Sequence, residues 1–286
     1  MTALRFTEKW FVIAACLSAF CTLFIFGFMV WLGLPIFREG LFVDILTQPW
    51  LPDKGVYGIF PMLLGTVFIS LFSVLTAFPL SLGCAGFICG LGPEWAGKFL
   101  RKTVRMMTGI PTVIYGFVGI FLLVPFIREL FDGGSGMCMF SAGLLLAVLI
   151  SPTMILFFTE SFDRVPRPYL DAVEALGGSN VQKLLYVVLP WSSKGILAGT
   201  VLSLGRAVGD TLIALMIAGN AVSTPGSILD SARTLTAHIA LIIAADFDSI
   251  EFRTIFVCGI VLYGFTALLV LLVRAIGSRS PLTRQQ

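Results

Sequence analysis

Apolar residues in this chain run together in long uncharged stretches. Those at 10–34, 55–93, 106–127, 133–160 (Glu160 itself excluded) and 254–273 each reach the roughly 20 residues that a helix needs to cross a bilayer. A sixth, 195–222, is apolar over 28 residues except for Arg206 and Asp210. The pattern predicts an all-α, polytopic membrane protein with six transmembrane helices. The 55–93 stretch holds 39 residues, more than one crossing requires, and Pro61 and Pro79 are expected to divide it into an interfacial lead-in and a spanning helix. The first stretch follows Arg5 and Lys9, but its 25 residues exceed a signal-peptide core and end without a small-x-small cleavage site. It is expected to stay as a membrane anchor.

Composition agrees with this pattern. Of 286 residues, 57% are hydrophobic and 12% charged, about half the charged share of an ordinary soluble domain, and the mean hydropathy is +0.98. An ordinary cytosolic globule is excluded. For such a chain the placement of basic residues matters more than the net charge of +3. Thirteen Lys and Arg fall in the N-terminus, 94–105, 160–194 and the C-terminus, against five in the alternate loops: Arg38, Lys54, Arg128, Arg233 and Arg253. The positive-inside rule therefore predicts both termini in the cytoplasm. The six cysteines, Cys16, Cys21, Cys84, Cys89, Cys138 and Cys258, mostly lie in apolar runs without metal-ligand spacing and read as small apolar residues. With no obvious repeat, and Asp132-Gly-Gly-Ser-Gly136 the only low-complexity patch, residues 1–286 read as a single transmembrane domain.

The cytoplasmic segment 160–194 has a distinct pattern. Leu170, Val173 and Leu176, then Val181, Leu184 and Leu185 after Gly177-Gly178, recur at helical spacing on either side of a break. This predicts two short surface helices and a turn, the second helix ending at Pro190 before span five. A solvated loop packed on its own bundle is the plainer reading. Against it, Asp171-Ala172-Val173, Gly177, Val187, Leu189 and Pro190 fall at the spacing of a cytoplasmic loop in permease subunits of ABC importers, with conservative departures at Asp171, Val173 and Val187. The chain thus resembles that family. The resemblance implies a type I importer permease fold whose loop is a coupling helix seated in a groove of a separate ATPase subunit.

Arg206 and Asp210 are four apart inside span five. An ionised group at mid-membrane costs about 2.5–3.5 kcal/mol, so the two require mutual pairing, a partner helix or a water-filled path. A packing ion pair is the plainer alternative. Gly205-Arg-Ala-Val-Gly-Asp-Thr211, followed by a run to Gly219-Asn220, resembles the phosphate-uptake ABC permeases of the PstC type, with Asp210 in place of a Glu. Met62-Leu-Leu-Gly-Thr66, Gly109-Ile-Pro-Thr-Val-Ile-Tyr-Gly116, Leu122-Leu-Val-Pro125 and Arg233-Thr-Leu-Thr-Ala237 carry the same resemblance, which spans roughly 58–270. It implies that Arg206 meets the phosphate oxyanion and Asp210 restrains that arginine. Thr211, Thr108 and Thr112 would offer hydroxyls, although such groups often bond their own backbone. The implied partners are a second, PstA-like permease, two ATPase subunits that bind ATP and Mg, and an extracytoplasmic phosphate-binding protein. The chain itself would be no enzyme and hold no cofactor.

Three further signals weigh less. Gly92-Pro-Glu-Trp-Ala-Gly-Lys98 imitates a phosphate-binding loop, but Phe99 occupies the position of the required hydroxyl. His238 lies in an uncharged external segment flanked by Asp230, Arg233, Asp246 and Asp248. It reads as an interfacial polar residue on a surface or re-entrant helix that could meet a delivery protein. Gly195-x-x-x-Gly199 reads as bundle packing with an unidentified helix. Rival functions are import of molybdate, tungstate or sulfate, or a membrane enzyme or channel using Arg206 and Asp210.

Overall fold

Long apolar runs become helices because a bilayer offers backbone groups no water, and a helix satisfies them within one segment. The computed structural model describes residues 2–38, 40, 42–131, 134–246 and 249–278. Asp132, Gly133 and Asp248, named above, lie outside the described residues. Among the described residues, six helical runs are long and apolar enough to cross: Lys9–Pro35, Phe60–Leu91, Thr112–Leu130, Met139–Asp163, Asn180–Val208 and Ile250–Ala275.

Helix α1 (Thr2–Arg38) is followed by α2 (Phe42–Thr47) and an antiparallel hairpin of β1 (Trp50–Leu51) and β2 (Val56–Tyr57). The second span is α3 (Phe60–Gly86), with a wider π turn at Phe87–Leu91. Pro61 opens this helix, where its missing N–H costs nothing, while Pro79 lies inside and does not divide it as expected. Next come α4 (Glu94–Met107), then α5 (Thr112–Val118), a π turn at Gly119–Leu123 and α6 (Val124–Leu130), which together form the third span. The fourth is α7 (Met139–Asp163). Then follow α8 (Arg167–Ala175), α9 (Asn180–Lys183), a π turn at Leu184–Val188 and α10 (Leu189–Val208). The chain ends with α11 (Leu212–Ile217), α12 (Leu235–Ile242) and α13 (Ile250–Ser278).

The core centres on α7, which packs along α3 and α10. Ile150, Met154 and Phe158 are fully buried there, and Phe158 meets Phe78 edge-on at 5.9 Å. The helix that packs Gly195 and Gly199 is now defined: a Cβ on either would collide with Ser161 or Phe157 of α7. On the outside of the bundle, α1 lies against α13, with Phe26 stacked on Tyr263 at 4.3 Å.

Two further expectations are corrected. Pro190 does not end a surface helix: α9, the π turn and α10 form one run through Asn180–Val208. The Leu189 N–H reaches back five residues to the Leu184 carbonyl, and this wider turn admits a proline that an α-helical ladder would reject. The same device precedes Pro93, where Gly92 N–H bonds Phe87, and Pro125, where Val124 N–H bonds Gly119. Nor is His238 interfacial. It is fully buried beneath Trp50, ring centres 4.5 Å apart, with Nε2 3.4 Å from the Thr254 hydroxyl. Burial, and secondarily the charge of Arg233, pushes its imidazole down to about 4, so it is neutral at pH 7.

Phe158→Ala should cost about 3 kcal/mol, because the cavity left in the α7 core cannot be refilled by lipid. Leu75, which is 72% exposed on the outer surface, should tolerate Ala with little change. Thermal unfolding of the purified chain in one detergent checks both, and equal shifts would contradict the assigned core.

Candidate substrate path and coupling turn

The 195–222 stretch is not one helix. α10 stops at Val208, where Gly205 and Gly209 lower helix propensity, and the chain turns before α11. The expected span 195–222 is therefore replaced by a crossing that starts earlier, at Asn180, and ends at this break. Because the helix stops between them, Arg206 and Asp210 no longer share a face, and they form no ion pair. Asp210 Oδ2 instead accepts the Ile213 N–H at 2.8 Å, as an N-capping aspartate does, and its carbonyl accepts the Thr236 hydroxyl at 2.9 Å. The expectation that Asp210 restrains the arginine is thus corrected.

Arg206 is exposed, and its Nη1 donates to Thr153 Oγ1 on α7 at 2.7 Å. One bond uses one of five guanidinium donors, leaving the fork available to an oxyanion. Thr211 is half-buried at the start of α11, and its carbonyl accepts the Leu215 N–H at 2.9 Å. Thr108 bonds the Arg105 carbonyl at 2.7 Å, so its hydroxyl is spent on its own backbone.

Polar groups from distant segments hold the break. Asn220, at φ 57°, donates from Nδ2 to the Leu215 carbonyl at 2.6 Å, and Arg233 Nε donates to the Asn220 carbonyl at 3.2 Å. The Leu235 N–H donates to Thr66 Oγ1 at 2.9 Å, and Thr234 caps α12 by accepting from Ala237. Gly65 lets this chain pass close, since a Cβ there would stand 2.5 Å from the Arg233 carbonyl. Segments 62–66, 205–211, 219–220 and 233–237 are therefore one construction. The 109–116 segment adjoins it: Gly116 faces the Met216 sulfur. Thr153 escaped sequence reasoning because nothing at position 153 announces a partner 53 residues away.

The turn at 176–179 is built from its own residues. Gly178 N–H bonds the Val173 carbonyl and Gly177 N–H that of Glu174, each at 2.9 Å, forming a Schellman ending to α8. Gly177 takes φ 75°, which strains any side chain. Ser179 and Gln182 then form a capping box that starts α9, and Lys183 pairs with Glu174 across the turn. Asp171, Ala172 and Val173 lie on α8, Val187 in the π turn, and Leu189 and Pro190 at the start of α10. No described residue of α8 is buried, and Leu176 at the turn is 89% exposed. A cavity of about 290 Å³, lined in part by Asp163, Glu174, Lys183 and Leu184, separates this element from the end of α7.

Residues 83–280 match the family of binding-protein-dependent transport system inner membrane components, and the chain belongs to that family. It is 32% identical over 241 residues to a probable ABC transporter permease protein, YqgH, of Bacillus subtilis (strain 168), covering 83% of this chain and 78% of that one. It is 31% identical over 210 residues to the phosphate transport system permease protein PstC of Pasteurella multocida (strain Pm70), covering 67% of this chain and 66% of that one. Its fold is similar to a chain of a bacterial alginate ABC transporter, with a TM-score of 0.64 over 96% of each chain at 13% identity. Six spans and this likeness give the chain the type I ABC importer permease fold.

Asp210→Asn keeps an acceptor for Ile213 and should retain the stability that Asp210→Ala loses, about 1 kcal/mol. Thermal unfolding of the two variants distinguishes the cap from an ion pair, for which Asn and Ala would be equally damaging.

Proposed function

We propose that this chain is the permease subunit of an ATP-driven importer of inorganic phosphate. The observation that carries the reading is Arg206: an exposed guanidinium, steadied by a neutral hydroxyl and paired with no carboxylate, beside a break in a spanning helix. A planar fork of donors suits a tetrahedral oxyanion, and the lack of a paired carboxylate keeps the site attractive to anions. A single such contact favours passage over tight retention. The PstC relatives support phosphate as the substrate.

In this reading the path is shared with a second, PstA-like permease, and an extracytoplasmic phosphate-binding protein delivers the substrate. Two ATPase subunits bind ATP and Mg, and the turn around Gly177 sits in their groove. Both termini face the cytoplasm, supported by the excess of Lys and Arg in the N-terminal, 94–105, 160–194 and C-terminal segments. Closure of the ATPases moves the exposed turn. The motion passes along the continuous Asn180–Val208 run to Arg206 and alternates access by rocking the two permeases.

Uptake of labelled phosphate by cells should depend on this chain and be blocked by excess arsenate but not by sulfate, molybdate or tungstate. Inhibition by molybdate or sulfate instead would reassign the oxyanion. Arg206→Ala should abolish uptake while the complex still assembles, and normal uptake would remove the arginine from the path. Gly177→Arg should leave ATP hydrolysis running without transport, whereas unchanged coupling would sink the role given to the turn.

A further inference from the structure

α4 is not explained by the transport path. Its 14 residues are too few to cross a bilayer, yet they expose Trp95, Phe99 and Met106 at 74%, 67% and 68%. These three fall at helical spacing on one stripe. The adjoining stripe carries Lys98, Lys102 and Arg105, opposed only by Glu94, which pairs with Lys98 at 2.8 Å. Lys102 and Arg105 have no ion-pair partner among the described residues. The remaining side is fixed to the protein: Gly97 and Val104 are buried, and Arg101 makes a two-pronged ion pair with Asp163 at the end of α7.

The position of α4 decides which partner suits this face. It begins three residues after the second span ends at Leu91 and finishes five residues before the third opens at Thr112. Such short tethers, at most about 3.5 Å per residue, keep the helix at the membrane surface. Contacts with α7 and with the π turn at Phe87–Leu91 hold α4 against the bundle, so its two outward stripes lie side by side along the interface. An apolar stripe next to a basic one, held in the plane of the interface, matches acyl chains below and phosphate groups beside them.

We propose that α4 is a binding surface for anionic phospholipid, with Trp95, Phe99 and Met106 among the acyl chains and Lys98, Lys102 and Arg105 on the headgroup phosphates. Through Arg101 and Asp163 the bound lipid is tied to the end of α7, four residues before α8 begins.

The test uses the chain in nanodiscs containing brominated phosphatidylglycerol or brominated phosphatidylcholine, with the fluorescence of the Trp95→Phe variant subtracted to isolate Trp95. Trp95 should be quenched more by the phosphatidylglycerol in mixed bilayers. That preference should fall in Lys98→Gln/Lys102→Gln/Arg105→Gln, by roughly fivefold per charge removed, and weaken with salt. A control with Arg at 98 and 102 should retain it. Equal quenching by the two lipids would overturn the headgroup assignment. No quenching by either, with Trp95 shielded only when ATPase subunits are added, would assign the face to a protein partner instead.

Discussion

Inside a bilayer a helix can break only where the backbone groups it frees find partners in the protein. The stop at Val208 meets that condition with side chains drawn from elsewhere. Asp210 accepts the Ile213 N–H, the Thr236 hydroxyl donates to the Asp210 carbonyl, and Thr66 accepts the Leu235 N–H. Asn220 and Arg233 close the return of the chain. Each bond contributes about 1 kcal/mol net, but leaving any of these groups unpaired in an apolar setting costs more. The polar residues around the break are thus needed to have a break at all. The break in turn separates Arg206 from Asp210, which frees a guanidinium that an unbroken helix would have placed beside a carboxylate.

The other end of the same helical run solves a different problem. The turn after α8 is exposed, and its stability comes from local devices: a Schellman ending, a capping box and the Lys183–Glu174 pair. Little of its surface is committed to packing, and a cavity lies beneath it. The π turn at Leu184–Val188 lets Pro190 stay within the run, so one continuous helical rod joins the turn to position 206. A proline that ended the helix would have left a hinge there.

The six spans were legible because charge is costly in lipid and the uncharged runs show directly in the sequence. The helix-turn-helix at 169–190 was legible from apolar spacing around Gly177-Gly178. Its continuation through Pro190 was not, since a five-residue backbone bond leaves no mark on side-chain periodicity. Arg206 stood out as a charge in an apolar run, but a spacing of four implies pairing with Asp210 only while the helix persists, and Asp210 bonds the Ile213 N–H instead. Thr153, Trp50 over His238, and Thr66 against Leu235 are contacts between distant segments, set by packing and invisible to local pattern.

The central claim is that the break leaves position 206 open to a water-filled path rather than to lipid or core. It is tested most directly by placing a thiol there. In the assembled importer, Arg206→Cys should react with a membrane-impermeant thiol reagent well above the background of the unsubstituted chain. A thiol at 206 as unreactive as the buried Cys258 would contradict the account.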